Sequence, residues 1–425
     1  MTWLDNLLGQ HSELESPMNF WKWGALAALS AVVKDNVWIN RHIHCLYPNI
    51  YVMFHAESGL KKGPPISMAK QLVKGVDNTR VISGRSSIQG ILKELGTAQT
   101  KPGGKVLNQS CAFICSSELT SSIVEDKVAT DILTDLYDRQ YNIGEWRSLL
   151  KMEQFNLKNP TITMLTATNE AHSADFFGKK DIHGGYFART FVVSESRRNR
   201  SNSLLVPLTN PPQYKEAIEY LKEIAELRGP FAPMALKEPI DGCNLPYVEK
   251  ATGETNYFTE AGIIYQTWYD DLTEQTLTED LRDDTGTLNR FGDSVLKVAM
   301  LLSLARSPEL FIDADSMQLA IDYCRTLIGN VRGMTYGKKG LSEAKNIKKL
   351  IIDEIMARPG HQVSRAMLHK KMWSHYKEAS ELDEVMNSFD QAGTIKMEQM
   401  GNQVIYKMTD VEYKRLKDFF DGKNK

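Results

Sequence analysis

The chain reads as an α/β protein: a parallel sheet covered by helices, followed by an all-helical segment and a small unit of helices and a hairpin. Three observations predict it. From Tyr47 to about Ser196 the pattern alternates strand, loop and helix, as a parallel sheet requires when each strand must be reached by a covering crossover. Within that stretch the runs Asn49-Ile50-Tyr51-Val52-Met53-Phe54, Cys111-Ala112-Phe113-Ile114-Cys115 and Thr161-Ile162-Thr163-Met164-Leu165-Thr166 have the length and apolarity of buried strands. From Glu260 to about Val331 the spacing becomes almost wholly helical.

At 425 residues the chain exceeds what one core supports, so two or three domains are expected. Residues 1–46 read as a helical N-terminal collar, because Phe20, Trp23, Leu26, Leu29 and Val33 recur at three- and four-residue steps. Residues 47–200 carry the strand runs, with a further apolar strand at Phe191-Val192-Val193 and a Gly/Pro/Lys-rich surface loop from Thr97 to Lys105. Residues 201–342 open as a polar linker broken by Pro207, Pro211 and Pro212. That segment continues as an all-helical lid, whose run Val295 to Leu304 is apolar nearly all round and predicts a buried helix. In residues 343–425, helical spacing over Ile347–Met356, a helix capped by Ser364, a helix over Leu382–Gln391 and a hairpin through Gly401-Asn402 predict a winged helix-turn-helix. In residues 331–425 Lys and Arg outnumber Asp and Glu, which suits DNA; packing against protein is the alternative.

Composition narrows the class. Lys plus Arg (51) nearly balances Asp plus Glu (53), so net charge indicates neither a nucleic-acid nor a membrane-surface protein, and any such signal must be local. The five cysteines are odd in number and dispersed in apolar surroundings, which fits a reducing cytoplasm. Cys111 and Cys115 have a spacing that could serve a metal, but along a strand it puts both on one buried face. The apolar stretch Trp23–Val33 is too short to span a bilayer, and no targeting segment is visible.

The polar groups that follow the strands carry the chemistry. After the first run comes the basic loop Glu57-Ser58-Gly59-Leu60-Lys61-Lys62-Gly63, with a helix expected from about Ile66 to Val73. Backbone N–H groups and a lysine in such a loop can wrap a polyphosphate, which makes Ser58, Gly59, Lys61, Lys62 and Gly63 candidate cofactor-binding residues and Lys62 the phosphate lysine. The loop departs from G-x-x-x-x-G-K-[ST]: Lys61 replaces the second glycine, and Gly63-Pro64 supply no hydroxyl for magnesium. An ordinary basic strand-to-helix turn is the alternative. The second run ends at Ser116-Ser117-Glu118, where Glu118 can polarise water for in-line attack and Ser117 can hold a magnesium-bound water. Asn169 ends the third run, where an amide can orient that water or cap the next helix. Arg189 can stabilise transition-state charge in a neighbouring subunit or form a structural salt bridge, and Arg290 can meet the nucleotide from the lid side. Between Glu145 and Pro160 the alternation suggests a β-hairpin whose Arg147, Lys151 and Lys158 are candidate DNA-backbone contacts, a surface hairpin being the alternative.

Together these residues give the chain a resemblance to phage, plasmid and genomic-island replication proteins related to primase-helicases and MCM-like AAA+ helicases. It is carried by Tyr47-Pro48-Asn49, Ser58 to Gly63, Ser116-Ser117-Glu118, Asn159-Pro160, Gly184-Gly185 through Arg189 and Leu288-Asn289-Arg290, across about residues 18–305. The resemblance implies a P-loop NTPase core of AAA+/RecA-like type and a ring-forming helicase, hexameric, using ATP and Mg2+ on single-stranded or forked DNA in a bacterial host cytoplasm. It implies that Lys62 binds phosphates, Glu118 activates water, Asn169 senses the terminal phosphate and Arg189 is a finger supplied in trans. The family's loop continues with Thr or Ser where Pro64 stands. No primase-type cluster is visible, so a separate primase or polymerase is the implied partner. The competing expectations are a non-hydrolysing DNA-binding initiator or scaffold, and a helicase loader.

Overall fold

The computed structural model describes residues 2–41, 43–84, 86–100, 106–107, 110–117, 127–139, 144–150, 153–169, 185–201, 211–249, 253–277, 290–335, 351–352, 354–356, 358–372, 379–391, 393–401, 403–409 and 413. The chain divides into two compact units, Met1–Thr335 and Tyr336–Lys425. Among the described residues no helix is long and apolar enough to cross a membrane.

The first unit opens with helix α1 (Trp3–Gly9), capped by a Thr2–Asp5 capping box, and helix α2 (Met18–Val33). The sequence reads α2 as part of a collar, but its burial runs almost all round, through Phe20, Trp21, Leu26 and Leu29 and also through Ala25, Ala27, Ala28 and Ala31. The small residues let neighbours approach: a Cβ at Gly24 would stand 3.2 Å from the Pro65 carbonyl oxygen. Residues expected to continue the collar instead form a hairpin, β1 (Val37–Arg41) with β2 (His44–Leu46).

Next come β3 (Tyr51–His55), α3 (Gly63–Val76), β4 (Arg80–Ser83), α4 (Ile88–Gly96) and the two-residue strands β5 (Gln99–Thr100) and β6 (Val106–Leu107). They lead to β7 (Cys111–Ser116), α5 (Lys127–Tyr137), the hairpin β8 (Glu145–Leu150) with β9 (Glu153–Lys158), β10 (Thr161–Thr168) and β11 (Thr190–Ser194). Five of these strands form one all-parallel sheet in the order β11-β3-β10-β7-β4.

Strand periodicity separates two cores. Val52, Phe54, Phe113, Cys115, Leu165 and Phe191 face α2, α3 and the later helices; Tyr51, Met53, Ile114, Ile162, Met164 and Val192 face α4, α5 and the base of the β8–β9 hairpin. Cys111 and Cys115 are buried thiols outside any disulfide, and burial pushes them up to about 12 and about 11.

The unit continues through α6 (Lys215–Ala225), the short strands β12 (Gly229–Pro230), β13 (Ala235–Leu236), β14 (Leu245–Val248) and β15 (Thr255–Phe258), and helices α7 (Glu260–Leu277), α8 (Phe291–Arg306) and α9 (Ala314–Thr335). The apolar run from Val295 lies inside α8 and is buried on every side.

In the second unit a helical stretch carrying Ile351 and Ile355 precedes β16 (Gln362–Ser364), α10 (Arg365–Met372), α11 (Ala379–Gln391), β17 (Ile395–Met400) and β18 (Gln403–Met408). The sheet is antiparallel in the order β16-β18-β17, and Ile351, Ile355, Leu368, Leu382, Met386 and Tyr406 fill its own core. Asp383 on α11 accepts from Arg365 Nε at 2.8 Å and pairs with His369 Nε2 at 3.0 Å, tying the two helices; the Arg365 guanidinium holds its carboxyl down at about 2.

Phe113 is fully buried between two parallel neighbours. Phe113→Ala should lower the unfolding free energy by about 3–5 kcal/mol, read as a fall in urea midpoint with an unchanged denaturant slope.

Candidate functional site

The hand of the connections decides where this sheet can bind a ligand. A crossover between parallel strands is right-handed, so it covers one face when the chain moves one way along the sheet and the other face when it returns. From β3 the chain moves outward to β4, and α3 packs on the first face; from β4 through β7 and β10 to β11 it returns, with α4, α5 and then Tyr186 and Phe187 on the second. β3 and β10 are neighbours whose connections leave on opposite faces. The topological switch point therefore lies beyond their carboxyl ends, the position where sheets of this kind take ligands.

The register places His55, Thr168 and Ser194 side by side at that edge, with Ser116 beside Thr166. The loop from Ala56 to Lys62, Asn169 and Ser117 thus share one edge. Ser117 is exposed and Asn169 half-buried, whereas Glu118 and Lys151 lie outside the described residues.

The loop has the backbone of an anion nest: Gly59 at φ 89° and Lys61 at φ 53° are left-handed, and Lys62 at φ −67° is right-handed. Leu60 is buried and anchors it, while Ser58 is exposed. Lys62 folds back into the loop, its Nζ donating to the Ala56 carbonyl at 2.6 Å and the Glu57 carbonyl at 3.0 Å. Lys61 turns the other way, 3.7 Å from Glu15, which also accepts from Arg198 at 3.2 Å. Of the two lysines read as cofactor-binding, Lys62 alone sits within the loop's curve. Gly63 opens α3, and Pro64 and Pro65 remove two N–H donors from its first turn.

Arg189 and Arg290 are elsewhere. Arg189 is buried at the amino end of β11; its Nε donates to Asp138 Oδ2 at 3.1 Å and its Nη1 to the Gly185 carbonyl at 2.9 Å. Arg290 Nη1 lies 3.7 Å from Asp138 Oδ1. The five residues of β3 put about 16 Å between this edge and the loop, so neither arginine reaches the loop of its own chain. Arg290, expected to meet the nucleotide from the lid side, thus lies away from the loop of its own chain. Sequence spacing assigned it to the lid, but α8 begins at the sheet's amino edge.

A group the sequence reading passed over joins this edge. Lys297, fully buried in α8, donates to Asn49 Oδ1 at 2.8 Å and to the Asn49 carbonyl at 3.0 Å, and its Nζ lies 4.0 Å from the Tyr137 ring centre. Asn49 in turn donates to the Tyr137 carbonyl at 2.9 Å. The signal was a single lysine inside an otherwise apolar run, since a buried charge demands partners.

In the hairpin, Trp146, Phe155 and Leu157 point into the second core while Arg147 and Lys158 point outward and are exposed. Arg147 donates to Glu145 at 2.6 Å. Among the described residues no His, Cys, Asp and Glu group is placed to hold a metal ion. No protein-family model matches the chain, and no curated protein matches it.

Burial pushes the Lys297 ammonium down to about 7. The unfolded chain keeps that proton to about 10, so across this window the unfolded state binds more protons and stability rises with pH. Lys297→Met lacks the effect: the melting temperature of the wild type should gain on the variant's as pH rises from about 7 to about 9. Parallel curves would sink this assignment.

Proposed function

We propose that the chain is an ATP-dependent DNA translocase or helicase of a mobile-element or phage replication system, working as a ring of copies. The observation that carries this reading is the switch in strand order between β3 and β10, at whose carboxyl edge lie the loop holding Lys62, the strand-end Asn169 and the exposed Ser117. These are the elements a P-loop ATPase of AAA+/RecA-like type would use: a cation and a nest for the phosphates, and polar groups on the neighbouring strand ends for the attacking water. The loop fits a polyphosphate. It fits magnesium less well, since Pro64 stands where a hydroxyl would be, leaving Ser117 to hold a magnesium-bound water; the ion's contribution when bound is to neutralise charge on the transferring phosphoryl group. Glu118 is the proposed base.

Arg189 and Arg290 share Asp138 at the far edge, so in this reading both serve a neighbour's nucleotide. Arg290, with a side chain 43% exposed, is the accessible one, whereas Arg189 must exchange a buried carboxylate for phosphate. Arg147 and Lys158 on the hairpin's outer face are proposed to track the DNA backbone. In the second unit, the succession helix, strand, helix, helix, hairpin supports a winged helix. Its helix α11 carries Glu381, Asp383, Glu384 and Asp390 and no basic residue, which favours contact with protein over DNA phosphates.

A second reading, a non-hydrolysing DNA-binding initiator or scaffold, is favoured by the retracted Lys62 and by Pro64 and Pro65; a helicase loader would share the first reading's site and lack strand displacement alone.

The purified chain should hydrolyse ATP faster with single-stranded DNA, Glu118→Gln should bind nucleotide without turnover, and Lys62→Ala should abolish both. No hydrolysis with any DNA form sinks the motor reading. Lys62→Ala and Arg290→Ala proteins, each inactive alone, should regain activity when mixed, because one intact site then forms between unlike copies. Arg147→Ala with Lys158→Ala should weaken DNA binding and flatten its log–log salt slope by about 0.7–0.9 per residue removed.

A further inference from the structure

A cavity of about 330 Å³ opens beside the loop, walled by Pro17, Met18 and Asn19 at the start of α2 and by Glu195, Arg197 and Arg198 after β11. We propose that this cavity holds the adenine base of a nucleoside triphosphate whose phosphates lie on the Lys62 loop; the inference rests on the phosphate reading of that loop.

Three observations carry it. The cavity adjoins the loop: Glu195 N donates to the His55 carbonyl at 3.1 Å, one residue before the loop begins, and a Cβ at Gly59 would stand 3.9 Å from an Arg198 nitrogen. Its volume is that of a small-ligand cleft. Its chemistry suits a base: Glu195 supplies an acceptor beside the apolar side chains of Pro17 and Met18.

The walls are held in place. Asn199 Nδ2 donates to the Ser12 carbonyl at 2.9 Å and the Leu14 carbonyl at 3.1 Å, pinning the segment after β11 to the turn before α2. Asn19 Nδ2 donates to Glu195 Oε1 at 2.6 Å, and Lys22 Nζ to Asn19 Oδ1 at 3.2 Å, which fixes the amide and aims the carboxylate. Pro17 and Met18 supply an apolar floor for a ring face. With one carboxylate oxygen engaged by Asn19, the Glu195 group has its other oxygen to accept from a base. Adenine's single amino donor suits that better than guanine's two adjacent donors, which ask for both oxygens.

The test is competition of ATP, GTP and inorganic tripolyphosphate against a fluorescent ribose-labelled ATP on the full chain. Lys62→Ala should weaken all three. Glu195→Ala should weaken ATP by about tenfold, the worth of one charge-assisted hydrogen bond, and leave tripolyphosphate unchanged; Asn19→Ala should move in the same direction. Glu195→Gln, which keeps the shape and alters the acceptor, serves as the folding control, checked by an unchanged melting curve. If Glu195→Ala and Asn19→Ala leave ATP untouched, or lower ATP and tripolyphosphate alike, the base lies elsewhere while the phosphate reading stands. If the wild type binds neither ATP nor tripolyphosphate, both fall.

Discussion

The handedness of parallel crossovers is the constraint on which the rest of this molecule depends. β3 comes first among the five parallel strands yet lies inside the sheet, so the chain must leave it in one direction and pass back over it in the other. Because each direction commits the connection to one face, the sheet acquires two separate cores and, between β3 and β10, a point where the connections part to opposite faces.

At the opposite edge the same topology gathers charge. The chain enters β3 at Asn49 and β11 at Arg189, α5 ends at Tyr137 before Asp138, and α8 begins beside them. Buried ammonium and guanidinium groups are costly unless each finds acceptors, and here each does: Lys297 in Asn49, Arg189 in Asp138 and Gly185. Such a network is satisfied in one arrangement of the elements, so it fixes where α8 lies against the base of β3 as well as stabilising it. Mutating one partner leaves the others buried and unmatched, which makes this edge more sensitive to substitution than the loop.

How much could be read from the sequence follows from what each signal encodes. The three apolar runs and Phe191–Val193 announced four strands of the sheet because burial on both faces leaves a continuous apolar run. β4 escaped because it is an edge strand of four residues beginning with Arg80 and ending at exposed Ser83, too short and too polar to stand out. The β1–β2 hairpin was read as helix because it follows α2 with no proline between them and continues its apolar content. Local pattern names an element but not the edge of the sheet it meets, and for that reason Lys62 was legible as a loop lysine and Arg290 as the start of the lid helix, but not the sheet edge where that helix begins. The cavity beside α2 was illegible for the same cause: Asn19 and Glu195 are 176 residues apart and meet only once β11 lies next to β3.

The inward fold of Lys62 sets a threshold. An ammonium that already donates to two carbonyl oxygens is not an open charge, and an incoming anion must give back more than those bonds before the side chain swings out. A chloride or a singly charged phosphate ester offers little surplus, whereas a chain of phosphates adds attraction at several oxygens at once. On the phosphate reading proposed above, the resting loop would filter what it holds by counting charge, favouring polyphosphates over monovalent anions.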